Sequence, residues 1–275
     1  MSLRRLYRTT AGWFVTEGDG FFACGENPAE MVQPEAANAP LTSMARSESL
    51  PGSVLAPVLA SQVFLVGLNY PCHAAEVGAD HPEEPLFGPI PASSVAADGA
   101  VVRRPDEDPD YLDYEGEIAV VIGESCTKIG PEDAAKAILG LAACLDLSAR
   151  GLQMQALQSS GEALPDMSAA KGFANAKPIG PFIILSQGLD PDSLDLAFET
   201  TVNGTVRQSG RTGSMIFGFR ELVSRISAQQ TLQPGDFICT GTPAGVGMAT
   251  GRFLAEGDEV GLRIEDYPPL LVTIA

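Results

Sequence analysis

One stretch, Tyr114-Glu115-Gly116-Glu117-Ile118-Ala119-Val120-Val121-Ile122, constrains this chain more than any other. The residues after Glu117 are apolar and mostly β-branched, so Glu117 to Gly123 is predicted to be a strand entering a core. Side chains alternate along a strand, which puts Glu115, Glu117, Ala119 and Val121 on one face. Tyr114, Gly116, Ile118, Val120 and Ile122 take the other. Two carboxylates roughly 7 Å apart then sit where the strand becomes buried. They repel, and one takes up a proton unless a cation lies between them. A hard divalent ion held by oxygens is the simplest compensation. A solvated strand end is the plainer reading of Glu-x-Glu taken by itself.

Three further residues stand out. Pro131 to Leu145 is predicted as a helix, opened by Pro131 with Glu132 and Asp133 in its first turn. Asp146 closes its apolar second half, and an acid at the end of a buried segment needs partners. It could equally cap a helix opened by Leu147-Ser148-Ala149-Arg150. Only two histidines occur, His73 and His81. If a helical turn begins at Pro71, His73 and Glu76 share one face at i, i+3. A carboxylate partner fixes an imidazole in one tautomer and raises its basicity, as a general base requires; a surface His–Glu pair is the alternative. His81, in the polar run Asp80 to Glu84, is expected to be solvated. Lys171 is the single lysine between Gly151 and Ala176. It could neutralise a substrate carboxylate or an oxyanion, or be a solvated loop lysine.

The rest of the chain sets the frame. Leu6 to Thr9, Gly12 to Thr16 and Phe21 to Cys24 are predicted strands, and Ala36 to Pro57 a connector rich in Ala, Pro and Ser. Residues 1–57 are therefore expected to form a small β-rich subdomain ahead of a main body at 58–275. In the body, Val63 to Gly67, Phe182 to Leu185, Leu196 to Val202 and Phe237 to Thr240 are predicted strands. Asn203-Gly204 signals a type I′ hairpin, and Phe217 to Ser227 a helix. Strands and helices do not alternate strictly, so a strand-dominated α+β body is expected rather than a doubly wound sheet.

The net charge of −18 argues against a nucleic-acid partner. Leu50 to Ala75 lacks charge but is broken by Pro51, Pro57 and Pro71, so no membrane span is expected. Arg4 and Arg5 precede Thr9, Thr10, Glu17 and Asp19 rather than an apolar run, and no secretory leader is expected. Five scattered cysteines give neither a zinc spacing nor a disulfide framework; a reduced, cytoplasmic setting follows by default. The glycines from Gly245 to Gly251 have the wrong spacing for a dinucleotide loop, with no helix expected after them. No G-x-S-x-G elbow occurs.

Taken in order, these pieces resemble the fumarylacetoacetate hydrolase family. They are Gly67-Leu68-Asn69-Tyr70-x-x-His73-x-x-Glu76, Asp113-Tyr114-Glu115-Gly116-Glu117, Asp146-Leu147-Ser148-Ala149-Arg150, Lys171-Gly172-Phe173 with Pro178-Ile179-Gly180-Pro181, Val202-Asn203-Gly204 and Gly241-Thr242-Pro243-Ala244-Gly245-Val246-Gly247. The resemblance implies a mixed β-sandwich or β-roll body, a small N-terminal domain and a homodimer. It implies Mg²⁺ or Mn²⁺, or Ca²⁺ in some members, held by Glu115, Glu117 and Asp146. His73 and Glu76 map to a water-activating pair, Lys171 to a lysine beside the metal, and Thr242 to a substrate-facing threonine. Arg150 and Gln153 map to the lining of the same pocket. Two positions depart from the family pattern: Pro89 stands near an expected lysine, and Gly151 stands where many members have Asp.

The leading expectation is a metal-dependent hydrolase that cleaves a carbon–carbon bond in a 2,4-dioxo acid of the acylpyruvate or fumarylpyruvate type. The metal would stabilise the enolate that departs. An oxaloacetate-type decarboxylase or a dienedioate keto–enol isomerase on the same scaffold is the alternative. A non-catalytic protein that binds 2-oxo acids is a third reading, motivated by Pro89 and Gly151.

Overall fold

The computed structural model describes residues 3–24, 41, 44–159, 166–186 and 188–275. Of the expected connector, residues 36–40, 42 and 43 lie outside the described residues. The chain opens with β1 (Arg5–Thr9), β2 (Gly12–Glu17) and β3 (Gly20–Ala23), followed by the short β4 (Arg46–Ser47) and β5 (Val54–Leu55). After β6 (Val63–Gly67) come helix α1 (Pro71–Glu76), β7 (Leu86–Ile90), β8 (Val95–Ala96), β9 (Ala100–Val102), β10 (Leu112–Asp113) and β11 (Gly116–Ile122). Helix α2 (Pro131–Ala137) leads into β12 (Ile138–Leu145), and β13 (Ser148–Ala149) into α3 (Arg150–Ser159) and α4 (Ser168–Lys171). Then follow β14 (Lys177–Pro178), β15 (Ile183–Leu185), the hairpin β16 (Ala197–Val202) and β17 (Thr205–Arg211), α5 (Phe219–Ser227) and β18 (Phe237–Cys239). Helix α6 (Gly247–Thr250), β19 (Glu259–Ile264) and β20 (Leu270–Ile274) complete the chain.

The strands make a mixed, strand-dominated α+β fold. The large sheet has eleven strands in the order β4-β3-β2-β1-β15-β12-β11-β18-β6-β7, with β5 also on β1. Only β18 and β6 pair in parallel along it. The N-terminal hairpin continues this sheet, because β1 pairs with β15. A five-stranded sheet, β17-β16-β19-β20-β9, packs against one face. Ile118, Val120 and Ile122 of β11 join Phe198, Val260, Leu262 and Val272 in the core between the two sheets. The opposite face of β11, Ala119 and Val121, joins a second core with Leu6, Trp13 and Phe237. The period of two read from the sequence thus divides one strand between two cores.

The helix expected over Pro131–Leu145 ends at Ala137. All eight residues of β12 are buried, whereas an amphipathic helix buries a stripe and leaves a polar face. As a strand the segment pairs on both edges, with β11 and β15. Leu141, Ala143 and Leu145 enter one core, and Leu139, Ala142 and Cys144 the other. A short unbroken apolar run carries no periodicity that separates helix from strand. At the β16–β17 hairpin, Asn203 and Gly204 both have positive φ, 51° and 72°, the type I′ geometry expected. No helix follows Gly251, as expected, and within the glycine run itself lies the four-residue α6. Its first N–H groups are taken by an internal carboxylate: Gly247 and Met248 donate to Asp113 at 2.6 and 2.9 Å. Among the described residues no helix is long and apolar enough to cross a membrane.

Candidate active site

Strands β11 and β12 run antiparallel, with Gly116 opposite Leu145 and Glu117 opposite Cys144. This register sets Glu115 and Asp146 side by side at the mouth of the ladder, where the Asp146 N–H donates to the Glu115 carbonyl at 2.8 Å. Between the two glutamates the backbone approaches β16 so closely that a Cβ on Gly116 would overlap the Thr200 hydroxyl. Only glycine fits there. Glu115, Glu117 and Asp146 form a buried triad whose oxygens lie within 4.8 Å of one another.

Cations meet this triad from one side. The Arg150 guanidinium, at the start of α3, donates through Nε to Asp113 Oδ2 at 2.8 Å and through Nη2 to Glu115 Oε1 at 2.7 Å. Its Nη1 donates to Gln153 Oε1 at 2.7 Å, which orients that amide. Lys171, the last residue of α4, donates to Glu115 Oε2 and to Asp146 Oδ2, each at 2.6 Å. The Ser148 hydroxyl also donates to Glu115 Oε2, at 3.2 Å.

These contacts divide the carboxylates. Burial opposes ionisation of Glu115, but the charges of Arg150, Lys171 and His73 outweigh it and hold the carboxyl below its ordinary range. Glu117 makes no ion pair among the described residues; it accepts from the Gly241 N–H at 2.7 Å. Burial, then the charges of Asp146 and Glu115, push its pKa well up. Glu117 is the member that takes a proton when no cation is bound. A hard divalent ion suits the set, which offers carboxylate oxygens only and leaves one acid without a counter-charge.

The dyad is formed as the spacing implied. Pro71 occupies the first turn of α1, where its missing N–H costs nothing, and His73 Nδ1 lies 3.3 Å from Glu76 Oε2. Glu76 Oε1 accepts from the Gly245 N–H at 2.8 Å, so the glycine loop holds the carboxylate against the imidazole. His73 is buried, and the loop that holds Glu76 through Gly245 also holds Glu117 through Gly241. Thr242 is buried in the same loop. Its hydroxyl donates to the Gly116 carbonyl at 2.9 Å and accepts from Gln208 Nε2 at 2.7 Å. Its hydrogen is therefore committed to the protein. His81 is exposed.

Three residues escaped the sequence reading. Asp113, fully buried, anchors Arg150 and the start of α6; its signal was its place two residues before Glu115. Gln208 links Gly116, Thr242 and Pro243, and nothing local marks it. Lys177, fully buried, lies 2.8 Å from Asp146 Oδ1; a lone lysine between Ala176 and Pro178-Ile179 was the available signal. Both family departures have local reasons. Pro89 lies on β7, the outer strand of the large sheet, where a missing N–H is tolerated. At Gly151 a Cβ would come within 2.6 Å of Asp108 Oδ1, whose other oxygen accepts from the Leu152 N–H at 3.1 Å. A carboxylate from elsewhere in the chain fills the space beside Gly151.

Compared with known proteins, residues 62–275 match the fumarylacetoacetate (FAA) hydrolase C-terminal family. The chain belongs to the fumarylacetoacetate hydrolase family. Oxaloacetate tautomerase YisK of Bacillus subtilis is 35% identical over 257 residues, which cover 91% of this chain and 81% of that protein. Among solved structures, 2-hydroxyhepta-2,4-diene-1,7-dioate isomerase from Mycobacterium marinum is 31% identical with a TM-score of 0.78 over 100% of this chain and 98% of that one. The fumarylacetoacetate hydrolase of Exiguobacterium antarcticum is 26% identical with a TM-score of 0.81 over 99% of both chains. Family members thus include tautomerases, isomerases and hydrolases, and the buried triad here offers a site for a divalent metal.

Proposed function

We propose that this family member interconverts the keto and enol forms of an oxaloacetate-type 2-oxo acid, with Mg²⁺ or Mn²⁺ as cofactor. The observation that carries this reading is the His73–Glu76 pair, one oriented proton carrier held by the same loop that holds Glu117 of the buried triad. The 35% identity with an oxaloacetate tautomerase supports it.

Glu115, Glu117 and Asp146 would hold the ion, which when bound supplies Lewis-acid polarisation of the keto oxygen. The remaining steps belong to the chain. His73, held by Glu76, removes the proton from the carbon beside the keto group. The C–H electron pair becomes the C=C bond and the carbonyl pair moves onto oxygen, giving an enolate. Lys171 stabilises that oxygen, and the proton returns to it to complete the enol. Arg150 and Gln153 line the substrate side. Thr242 braces the strand between the two glutamates through its bond to the Gly116 carbonyl.

Carbon–carbon hydrolysis of a 2,4-dioxo acid is the second reading, favoured by the same imidazole–carboxylate pair. Here His73 takes a proton from water and the hydroxide adds to the distal carbonyl. The adduct collapses to a carboxylic acid, and the carbon–carbon pair leaves with the pyruvate fragment as its enolate. The proton on His73 returns to that fragment's carbon. Oxaloacetate decarboxylation instead breaks the bond to the distal carboxylate, releasing CO₂ and leaving the bond pair as a pyruvate enolate that is then protonated. The test is metal-titrated turnover of oxaloacetate, acetylpyruvate and fumarylpyruvate, with enol absorbance followed and products resolved by NMR. Metal-dependent enol loss with the carbon skeleton intact supports the tautomerase. Release of pyruvate and a second acid from a dioxo acid overturns it for the hydrolase, and pyruvate with CO₂ from oxaloacetate for the decarboxylase. A homodimer is part of the proposal, checked by size-exclusion chromatography with light scattering.

A further inference from the structure

Lys177 has no exposed surface. An ammonium in that position is costly unless acceptors surround it. Here they do. Its Nζ donates to the carbonyls of Ala176 at 3.3 Å and Leu147 at 3.4 Å, and closely to the carbonyl of Lys171. It also lies 2.8 Å from Asp146 Oδ1. One buried charge thus joins the chain at Asp146–Leu147 to the chain at Lys171, the two segments whose side chains meet at the triad.

This contact divides the two oxygens of Asp146. Oδ2 faces the Lys171 ammonium at 2.6 Å. Oδ1 accepts no well-angled hydrogen bond and has the Lys177 charge as its partner. The distinction matters because a carboxylate can offer a cation one oxygen or two. Ca²⁺ takes six to eight oxygens and readily accepts bidentate carboxylates, whereas Mg²⁺ demands a tight octahedron built from single oxygens.

We infer that Lys177 sets the ion selectivity of this site: by engaging Oδ1 it makes Asp146 a one-oxygen ligand and favours a small octahedral ion over Ca²⁺. The inference rests on the proposed metal-binding role of Glu115, Glu117 and Asp146. Lys177 meets neither ion nor substrate; it is a positioning residue that acts through Asp146.

Calorimetric titration of MgCl₂ and CaCl₂ into the metal-stripped full chain tests this. The unmodified protein is expected to bind Mg²⁺ more tightly than Ca²⁺. Lys177→Met frees Oδ1 and is expected to move the affinity ratio toward Ca²⁺ by about tenfold, the scale on which partners of metal ligands act. Lys177→Gln, which keeps a donor beside Oδ1, is expected to retain the Mg²⁺ preference. An unchanged ratio in folded Lys177→Met, or equal weakening of both ions, overturns the inference. A preference for Ca²⁺ in the unmodified protein overturns it without any variant. If circular dichroism shows Lys177→Met unfolded, Lys177→Gln decides: retained Mg²⁺ preference supports the inference, and a preference lost with the donor still present overturns it. Failure of the unmodified protein to bind either ion would instead bring down the reading of the triad itself.

Discussion

The Lys171 ammonium stands 2.6 Å from Asp146 Oδ2, with both side chains buried. Burial disfavours the charged lysine, yet the Asp146 and Glu115 carboxylates more than restore it and raise its pKa. Removing one partner of a buried pair leaves the other charge uncompensated, at a cost of about 3–5 kcal/mol. Lys171→Met is therefore expected to lower the melting temperature in EDTA and to abolish turnover. Added Mg²⁺ replaces the missing charge, so it should raise the melting temperature of the variant more than that of the unmodified protein. Differential scanning fluorimetry with and without Mg²⁺ checks this, and equal shifts would contradict it.

Glu117 separates metal binding from stability more cleanly than Glu115, which also holds Arg150 and Lys171. Its proton affinity is higher in the folded than in the unfolded chain. Its contribution is therefore fully present below the ordinary carboxylate range and is lost as pH rises through the raised value. Glu117→Gln removes this loss. In EDTA the variant is expected to match the unmodified protein in acid and to be the more stable at neutral and mildly alkaline pH. It should bind Mg²⁺ far more weakly. Urea denaturation across pH, paired with calorimetry, reads both effects.

The legible parts of this molecule were those written in adjacent residues. Strand alternation placed Glu115 and Glu117 on one face, helical spacing paired His73 with Glu76, and Asn203-Gly204 declared its turn. What escaped was set by partners distant in sequence. Ile138 to Leu145 is a strand because β11 and β15 flank it, and no residue within the run says so. Gln208 reaches Thr242 and Gly116, 34 and 92 residues away. Lys177 is functional in aspect only because folding carries Asp146 to within 2.8 Å of it. The triad drew on both kinds of information. Local period put its glutamates on one face and the end of an apolar run marked Asp146, but the β11–β12 register is what sets Asp146 beside Glu115.

The dyad gives a prediction independent of the metal. Among the described residues no hydrogen bond or ion pair joins His73 or Glu76 to the triad oxygens, so His73→Ala and Glu76→Gln are expected to leave Mg²⁺ affinity within experimental error. Proton transfer by a positioned side chain contributes about 10²–10⁴-fold, and kcat should fall on that scale in His73→Ala. Glu76→Gln keeps an acceptor for the Gly245 N–H and a polar partner for His73, so a smaller loss is expected. Steady-state kinetics alongside calorimetry decides. Full activity in His73→Ala would remove the imidazole from the mechanism, and only a decarboxylase could then survive on this site.

Gly151 and Asp108 should behave as a coupled pair. A Cβ at 151 would meet Asp108 Oδ1 at 2.6 Å, and Asp108 cannot swing away without releasing the Leu152 N–H at the start of α3. Gly151→Ala is expected to cost about 1–2 kcal/mol, the value of a lost helix cap. Asp108→Ala is expected to cost a similar amount by removing the same bond. If both act through that bond, the double variant should be no less stable than either single one. Urea unfolding of the four proteins gives the coupling energy, and simple additivity would show that Gly151 and Asp108 are independent. Because Arg150 immediately precedes Gly151, the same bond also sets how firmly the guanidinium is held against Asp113 and Glu115. The Gly151→Ala protein is therefore expected to lose substrate affinity before it loses metal.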